Sequence, residues 1–288
     1  MEPKKKNKKA GKVLYYSLLG IFAAVFLISA AYLIQYFVGS QEAGSKYDDL
    51  ASRLESIRAT MPTQTEPTKP TPPPTDPETG ETIAPPPTEP TEPKEPTILP
   101  DYLPFYQLNS DMVGWITIPE TKINYPVLQT PDNPDYYLYR NFDKMGSDWG
   151  AIYAEEGCDI NAPSDNVILY GHHMRDGSMF AQLNKFQFKD FWQDHQTFTF
   201  DTLYERHTYQ IWAVFKTTAN LGDKHFPYHQ FINAYAEEQY GEFVDMVKLL
   251  DFYDTGITPQ YGDKLLCLST CEYTLDNGRF VVCAVRVS

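Results

Sequence analysis

The stretch KLLCLSTCEYTLDNGRFVVCAV, residues 264–285, contains two apolar runs separated by a polar segment. The first run ends at Cys271, and the second follows Arg279. Short runs rich in Val, Leu, Phe and Thr are typical of β-strands, so the pattern predicts two strands that follow each other along the chain. The connection between them decides which side chains meet across the pair.

Two connections fit the polar segment. A tight turn at Asn277-Gly278 would pair Cys271 with Ala284, and Arg279 would then lie roughly 16 Å from the thiol. An open loop over residues 272–278 would instead bring Arg279 back beside Cys271. A cation next to a thiol at a strand end favours the nucleophilic thiolate. Taken alone, however, a strand cysteine is more often a buried core thiol.

The rest of the chain after residue 100 also reads as short strands rich in Val, Ile, Tyr, Phe and Thr, separated by Pro, Asp, Asn and Gly. The eight predicted strands are Gly114–Ile118, Tyr125–Gln129, Ala151–Ala154, Asn166–Tyr170, Thr197–Asp201, Thr208–Lys216, Asp263–Ser269 and Arg279–Val287. A helix is expected around Leu103–Asn109, and apolar residues at helical spacing over 243–250 predict another before the cysteine strand. The fold class is therefore mostly β, an eight-stranded closed or nearly closed β-barrel with one inserted helix.

A second stretch, NVILYGHHMRDGSMF at residues 166–180, contains two candidate proton carriers. An apolar strand ends at Tyr170, Gly171 interrupts it, and His172 and His173 follow. Adjacent side chains on an extended chain point to opposite sides, so one imidazole at most faces a shared site. Imidazole titrates near neutral pH and is suited to moving protons in a cleft.

Together the two stretches resemble the sortase family. Sortases carry a histidine after a strand-ending glycine, a TLxTC-type strand that ends in the nucleophile, and an arginine several residues later. The matching positions are Gly171-His172, Leu268-Ser269-Thr270-Cys271 and Arg279, with Cys267 in place of the usual leading threonine. The likeness extends over residues 103–288, and the GHHMRDGSMF stretch and the inserted helix look like class B.

The resemblance implies a sortase-type barrel and a cysteine transpeptidase. Cys271 would attack the Thr carbonyl of a sorting-signal peptide, His172 would carry protons, and Arg279 would hold the substrate or stabilise the oxyanion. Ser269 and Thr270 are candidate substrate-binding residues. Ser269 shares the Cys271 face of the strand, but a hydrogen-bonding role within the sheet fits it equally well. The resemblance also requires the open loop over residues 272–278.

The implied partners are surface proteins that bear a sorting signal and an acceptor amine from a peptidoglycan precursor or a pilin. No cofactor and no metal are expected. The resemblance leaves two enzymatic alternatives open, a pilin-polymerising sortase and a wall cysteine peptidase that hydrolyses its substrate. A non-enzymatic wall spacer or adhesin is the alternative from another class of protein.

The N-terminal segment indicates a membrane anchor. Six lysines and one acid lie within residues 1–12, and residues 13–38 then carry no charge. An apolar run of this length crosses a bilayer, and the lysines predict a cytoplasmic N-terminus with residues after 39 outside. A cleaved signal peptide is the alternative, but the apolar run continues past the Ser29–Ala31 cleavage pattern.

The remaining 276 residues hold 18 basic and 37 acidic side chains, which disfavours binding to nucleic acid. Residues 39–61 carry apolar side chains at helical spacing, at Tyr47, Leu50, Ala51, Leu54 and Ile57, and are expected to form a frayed juxtamembrane helix. A stalk or a weak self-association stripe is the alternative. Residues 62–97 contain 13 prolines and 10 threonines, so the segment 62–100 is predicted to be a disordered, extended spacer that separates the domain from the membrane. The catalytic domain is assigned to residues 101–288.

Overall fold

The computed structural model of the protein describes residues 8–61, 96–220, 222 and 225–288, with side chains from residue 11 onward. Most of the predicted spacer, residues 62–95, lies outside the described residues. The same holds for the first seven residues of the basic N-terminal segment.

Eight strands form a closed barrel in the order β1-β2-β3-β4-β7-β8-β6-β5. The strands are β1 (Met112–Thr117), β2 (Asn124–Leu128), β3 (Ile152–Ala154), β4 (Asn166–Tyr170), β5 (Thr197–Thr202), β6 (Thr208–Thr218), β7 (Leu265–Glu272) and β8 (Gly278–Arg286). All eight predicted strands are confirmed, and so is the predicted barrel. Their alternating apolar residues pack into one continuous core that includes Trp115, Trp212 and Phe215.

The pairing of β4, β7 and β8 brings the two sequence stretches described above together. β4 and β7 are parallel, with Tyr170 beside Ser269. β7 and β8 are antiparallel, with Leu265 beside Val285. The segments that follow β4 and β7 therefore emerge at the same end of the barrel.

Helices cover the barrel at several points. They are α1 (Lys8–Thr60), α2 (Leu103–Leu108), α3 (Lys189–Asp194) and α4 (Glu237–Leu250), with 3-10 turns at Tyr136–Tyr139, Ala181–Gln187 and Tyr228–Gln230. α4 confirms the inserted helix before the cysteine strand, since it packs Phe243, Val244 and Val247 into the core. The short helix α3 was not predicted, because six residues are too few to show the hydrophobic periodicity of a helix.

The expectation of a frayed juxtamembrane helix is wrong. Residues 39–60 continue α1 without a break, and the side chains of Tyr47, Leu50 and Leu54 are buried against the barrel. The hydroxyl of Tyr47 donates a 2.7 Å hydrogen bond to the carbonyl of Gly150. The apolar face of this helix is therefore part of the domain core.

The two ends of the proline-rich tract meet at a cluster of charges. Arg58, near the end of α1, forms an ion pair of 2.8 Å with the buried carboxylate of Asp101. Arg206 contacts the same carboxylate at 2.8 Å, and both arginines also contact Asp201. The segments on either side of residues 62–95 are therefore in contact, while the predicted spacer itself lies outside the described residues.

Candidate active site

At the end of the β7–β8 strand pair, Cys271 lies opposite Arg279. Glu272 pairs with Gly278, so the connection is a loop of residues 273–277. The tight turn at Asn277-Gly278 is therefore excluded, and the predicted open loop is confirmed. Arg279 lies beside the thiol because the register of the two strands, fixed over eight residue pairs, places it there.

Glu272, which the sequence analysis did not single out, holds the loop next to Cys271 in place. Its carboxylate accepts hydrogen bonds from the backbone N–H groups of Thr274 and Leu275, from the Thr274 hydroxyl, and from Lys216 at 2.9 Å. Burial alone would raise its pKa, but these hydrogen bonds, led by that from Thr274, outweigh burial and lower the pKa of Glu272 to about 2.

The backbone that follows β4 places His172. A Cβ atom on Gly171 would lie 2.5 Å from Ile152 Cδ1 and 2.8 Å from the Phe180 ring, so only glycine fits between these side chains. Nε2 of His172 lies 2.6 Å from the carbonyl oxygen of Leu138. Because a carbonyl only accepts, Nε2 carries a proton, and the other nitrogen, Nδ1, is the one free to exchange protons.

The neighbouring imidazole, His173, contacts the backbone of the nucleophile strand instead. Its Nδ1 donates a 3.0 Å hydrogen bond to the carbonyl oxygen of Cys271. The ring of Tyr273 lies 5.2 Å away, and the Tyr273 hydroxyl donates to the carbonyl of His173. His173 therefore ties the β4 exit to the loop after β7.

Ser269 and Thr270 are both buried and hydrogen-bonded. The hydroxyls of Ser269 and Tyr228 are 2.6 Å apart. The hydroxyl of Thr270 donates a 2.7 Å hydrogen bond to the carbonyl of Gly171, the residue before His172. Thr270 thus connects the strand of the thiol directly to the segment of the imidazole.

The guanidinium of Arg279 is held by backbone oxygens of its own loop. It donates to the carbonyls of Gly278, at 3.0 Å, and Asn277, at 3.3 Å. Within the described part of the chain, no carboxylate lies within ion-pair distance of it. Its positive charge is therefore available to a ligand in the cleft.

These side chains line one cleft of about 380 Å³ that contains Cys271, His172 and Arg279. Cys271 is partly exposed there, whereas the other three cysteines are buried. Nowhere in the described ranges do three His, Cys, Asp or Glu side chains gather as a metal site requires. The cleft therefore combines a thiol, an imidazole and a guanidinium, and the side chains of His225 and His229 also line it.

The opposite wall of the cleft is acidic. The hydroxyl of Tyr153 donates to Asp135 at 2.7 Å, and the hydroxyl of Tyr170 donates to Glu155 at 2.5 Å. Burial raises the pKa of Glu155 to about 7, and the neighbouring Glu156 adds to the effect. This wall was not predicted, because its residues come from three separate segments of the sequence.

A closed eight-stranded barrel with a thiol, an imidazole and a guanidinium at one cleft is the architecture of a sortase-type cysteine transpeptidase, and the comparisons agree. The Sortase domain model matches residues 116–287. The chain is 35% identical to Sortase B of Listeria monocytogenes over 180 residues, which cover 61% of this chain and 70% of the relative. It is 31% identical to Sortase B of Staphylococcus aureus over 195 residues, 66% of this chain and 77% of the relative.

Solved structures show the same fold. The structure of sortase B from Bacillus anthracis in complex with AAEK1 superposes with a TM-score of 0.66 at 27% identity, covering 88% of this chain and 99% of that one. The Staphylococcus aureus sortase B–substrate complex gives a TM-score of 0.69 at 23% identity, covering 87% and 99%. The chain belongs to the Sortase family, with class B relatives, and it is an enzyme of the cysteine transpeptidase type.

Proposed function

We propose that this enzyme is a membrane-anchored class B sortase that joins surface proteins to an amine of a peptidoglycan precursor. In this proposal Cys271 is the nucleophile, His172 the proton carrier and Arg279 the group that binds the developing oxyanion. The observation that carries the proposal is the β7–β8 register, which sets the guanidinium opposite the only partly exposed thiol among the described residues.

In the first half-reaction, the sulfur of Cys271 attacks the carbonyl carbon of Thr in a sorting-signal peptide. The carbonyl oxygen becomes negative in the transition state, where a charged donor such as Arg279 binds it more strongly than the neutral carbonyl. The C–N bond then breaks, and His172 gives a proton to the leaving amine. A thioester between the peptide and the enzyme remains.

In the second half-reaction, an acceptor amine attacks the thioester. His172 takes the proton that the amine loses, the C–S bond breaks, and the thiolate of Cys271 is restored. The thioester conserves the free energy of the cleaved amide, so a new amide bond forms without a further energy source. Since Nε2 of His172 is occupied by Leu138, Nδ1 serves both proton transfers.

Membrane anchoring is the second part of the proposal. One described helix, within Gly11–Thr60, is long and apolar enough to cross a membrane. The lysines before it favour a cytoplasmic N-terminus, and the barrel on its other end would then face outward. Contacts between α1 and the barrel begin at Tyr36, which packs on Trp149, so the barrel would lie close to the membrane surface.

The test of the chemistry uses the full chain in lipid nanodiscs, incubated with a library of sorting-signal peptides and a set of amine acceptors. Products and enzyme adducts are read by mass spectrometry. We expect cleavage after Thr, a new amide to an amine, and an acyl adduct on Cys271. Cys271→Ala and His172→Ala abolish transfer, whereas Cys158→Ala, which removes a buried thiol elsewhere, does not.

Other outcomes separate the alternatives. Cleavage without transfer to any amine would favour a hydrolytic cysteine peptidase. Transfer only to lysine side chains of a pilin-like protein would favour pilin polymerisation. Equal inactivity of the wild type and both variants would remove the assigned roles of Cys271 and His172.

The orientation is tested on intact cells with a membrane-impermeant maleimide. An outward-facing barrel predicts labelling of Cys271, with no label in Cys271→Ala cells. Labelling of the wild type only after the cells are permeabilised would place the barrel on the cytoplasmic side.

A further inference from the structure

Two buried thiols face each other across the β7–β8 ladder. Cys267 and Cys283 are register partners, and their sulfur atoms are 2.7 Å apart. Both residues have a relative exposure of 0%. The proposed transfer reaction uses neither of them, so this close pair needs a separate explanation.

The position of the pair on the ladder suits a covalent link. The N–H of Arg286 donates to the carbonyl of Lys264, which marks these two residues as a hydrogen-bonded pair of the antiparallel ladder. Hydrogen-bonded and non-hydrogen-bonded pairs alternate, so the pair of Cys267 and Cys283, three steps further on, is non-hydrogen-bonded. Cα atoms in such pairs lie about 4.5 Å apart, within the range that a disulfide spans.

The surroundings make the two sulfurs poor candidates for any other chemistry. Burial, followed by the neighbouring sulfur of Cys267, raises the pKa of the Cys283 thiol well above its usual range, so it stays protonated. The remaining buried thiol, Cys158, has its own partner, the carbonyl oxygen of Asn166 at 3.6 Å. The two ladder cysteines thus have each other as their nearest reactive group.

We propose that Cys267 and Cys283 are joined by a disulfide in the protein on the outer face of the membrane. Two S–H bonds of the protein and the S–S bond of a disulfide-bearing oxidant break, one S–S bond forms in the protein, and the two protons and two electrons convert the oxidant to its dithiol. The oxidant is a thiol–disulfide oxidoreductase or a small disulfide, acting before β8 closes over the pair. Only the oxidising location, not the chemistry of Cys271, rests on the proposed function.

The disulfide would link the two strands that carry the active-site residues. Cys267 lies four residues before Cys271 on β7, and Cys283 lies four residues after Arg279 on β8. A bond between these positions prevents the strands from sliding past each other. The register that sets Arg279 opposite Cys271 would then be maintained covalently.

The first test maps the disulfide in full-length protein exported in a Gram-positive host and purified without reductant. The protein is unfolded in excess N-ethylmaleimide, digested and analysed by mass spectrometry. We expect a peptide pair linked through Cys267 and Cys283, with label on Cys158 and Cys271. Four labelled cysteines, or a link that involves Cys158, would overturn the proposal.

The second test measures the thermal midpoint of the linked protein and of protein refolded in reductant. Because the bond closes a loop of about 15 residues, its loss should lower the midpoint by roughly 5–10 °C. Cys283→Ala should show no dependence on reductant, whereas Cys158→Ala, the matched loss of a buried thiol, should keep it. Equal midpoints for the oxidised and reduced wild type would contradict the proposal.

Discussion

Strand β7 carries cysteine at two positions that differ mainly in depth. Cys267 and Cys271 lie on the same face, and each opposes a β8 residue in a non-hydrogen-bonded pair. Cys267 is fully buried and faces the sulfur of Cys283, whereas Cys271 is partly exposed and faces Arg279 at the cleft. Four residues along one strand thus separate a core thiol from the proposed nucleophile, which shows that the neighbours of a cysteine decide its role.

The largest expected effect on activity comes from replacing Cys271 with alanine. Cys271→Ala should lower the transfer rate by about 10⁴-fold or more, because no other group in the cleft can form the acyl-enzyme. Its thermal midpoint should stay close to that of the wild type. Both are measured on the full chain, by product mass spectrometry and by calorimetry.

The converse pattern is expected for the core position. Cys267→Ala should destabilise the protein by about 3–5 kcal/mol, through lost packing and the lost link, and retain activity within a few-fold. Loss of activity in Cys267→Ala at a temperature where the variant is folded would contradict the assignment of Cys267 as a core thiol without a catalytic role.

Arg279 is expected to give the next largest effect. Arg279→Ala should lower kcat by about 10²–10³-fold, the usual result of removing one oxyanion donor. Arg279→Lys should recover part of this loss, since the charge remains but the planar donor fork does not. Steady-state kinetics with the best peptide from the library provides the measurement. An unchanged kcat with a raised KM would instead assign Arg279 to substrate binding alone.

The smallest effect concerns the loop after the nucleophile. The folded-state pKa of Glu272 is lowered to about 2 from an ordinary 4.5, so its carboxylate stabilises the fold above pH 4.5. This contribution is lost as the pH falls from about 4.5 towards 2.

The variant Glu272→Gln tests whether the ionised carboxylate of Glu272 stabilises the fold. The variant should melt earlier than the wild type at pH 7, and the difference should disappear near pH 2. Glu238→Gln, on the exposed start of α4, is the matched control and should show no comparable trend. A difference between wild type and Glu272→Gln that is independent of pH would show that the ionisation of Glu272 does not hold the loop.

The strands and the β7–β8 connection could be predicted because their determinants are local. Apolar alternation and turn residues define each strand, and the sortase resemblance decided between the two connections. The opposition of Cys267 and Cys283 was within reach, since the register that sets Arg279 beside Cys271 also pairs these two. The sequence analysis treated Cys267 only as the residue in place of the usual threonine and did not consider its partner across the ladder.

Other features depend on distant segments meeting in space. The docking of α1 through Tyr47 and Leu50, and the Arg58–Asp101 ion pair, join parts of the chain separated by the proline-rich tract. The apolar spacing along a helix indicates that one face is buried but does not show which surface it packs on. The bond from Thr270 to Gly171 similarly depends on the parallel pairing of β4 and β7, which strand patterns alone do not determine.

The claim that the cleft contains one reactive thiol is tested most directly by timed alkylation of the folded full-length protein. Iodoacetamide is added under native conditions, samples are quenched at intervals, and each cysteine is quantified by peptide mapping. We predict rapid modification of Cys271, with Cys158 unmodified until the protein is unfolded and Cys267 and Cys283 unmodified until it is both unfolded and reduced. Modification of any buried cysteine at a rate similar to that of Cys271, or protection of Cys271 itself, would contradict the account.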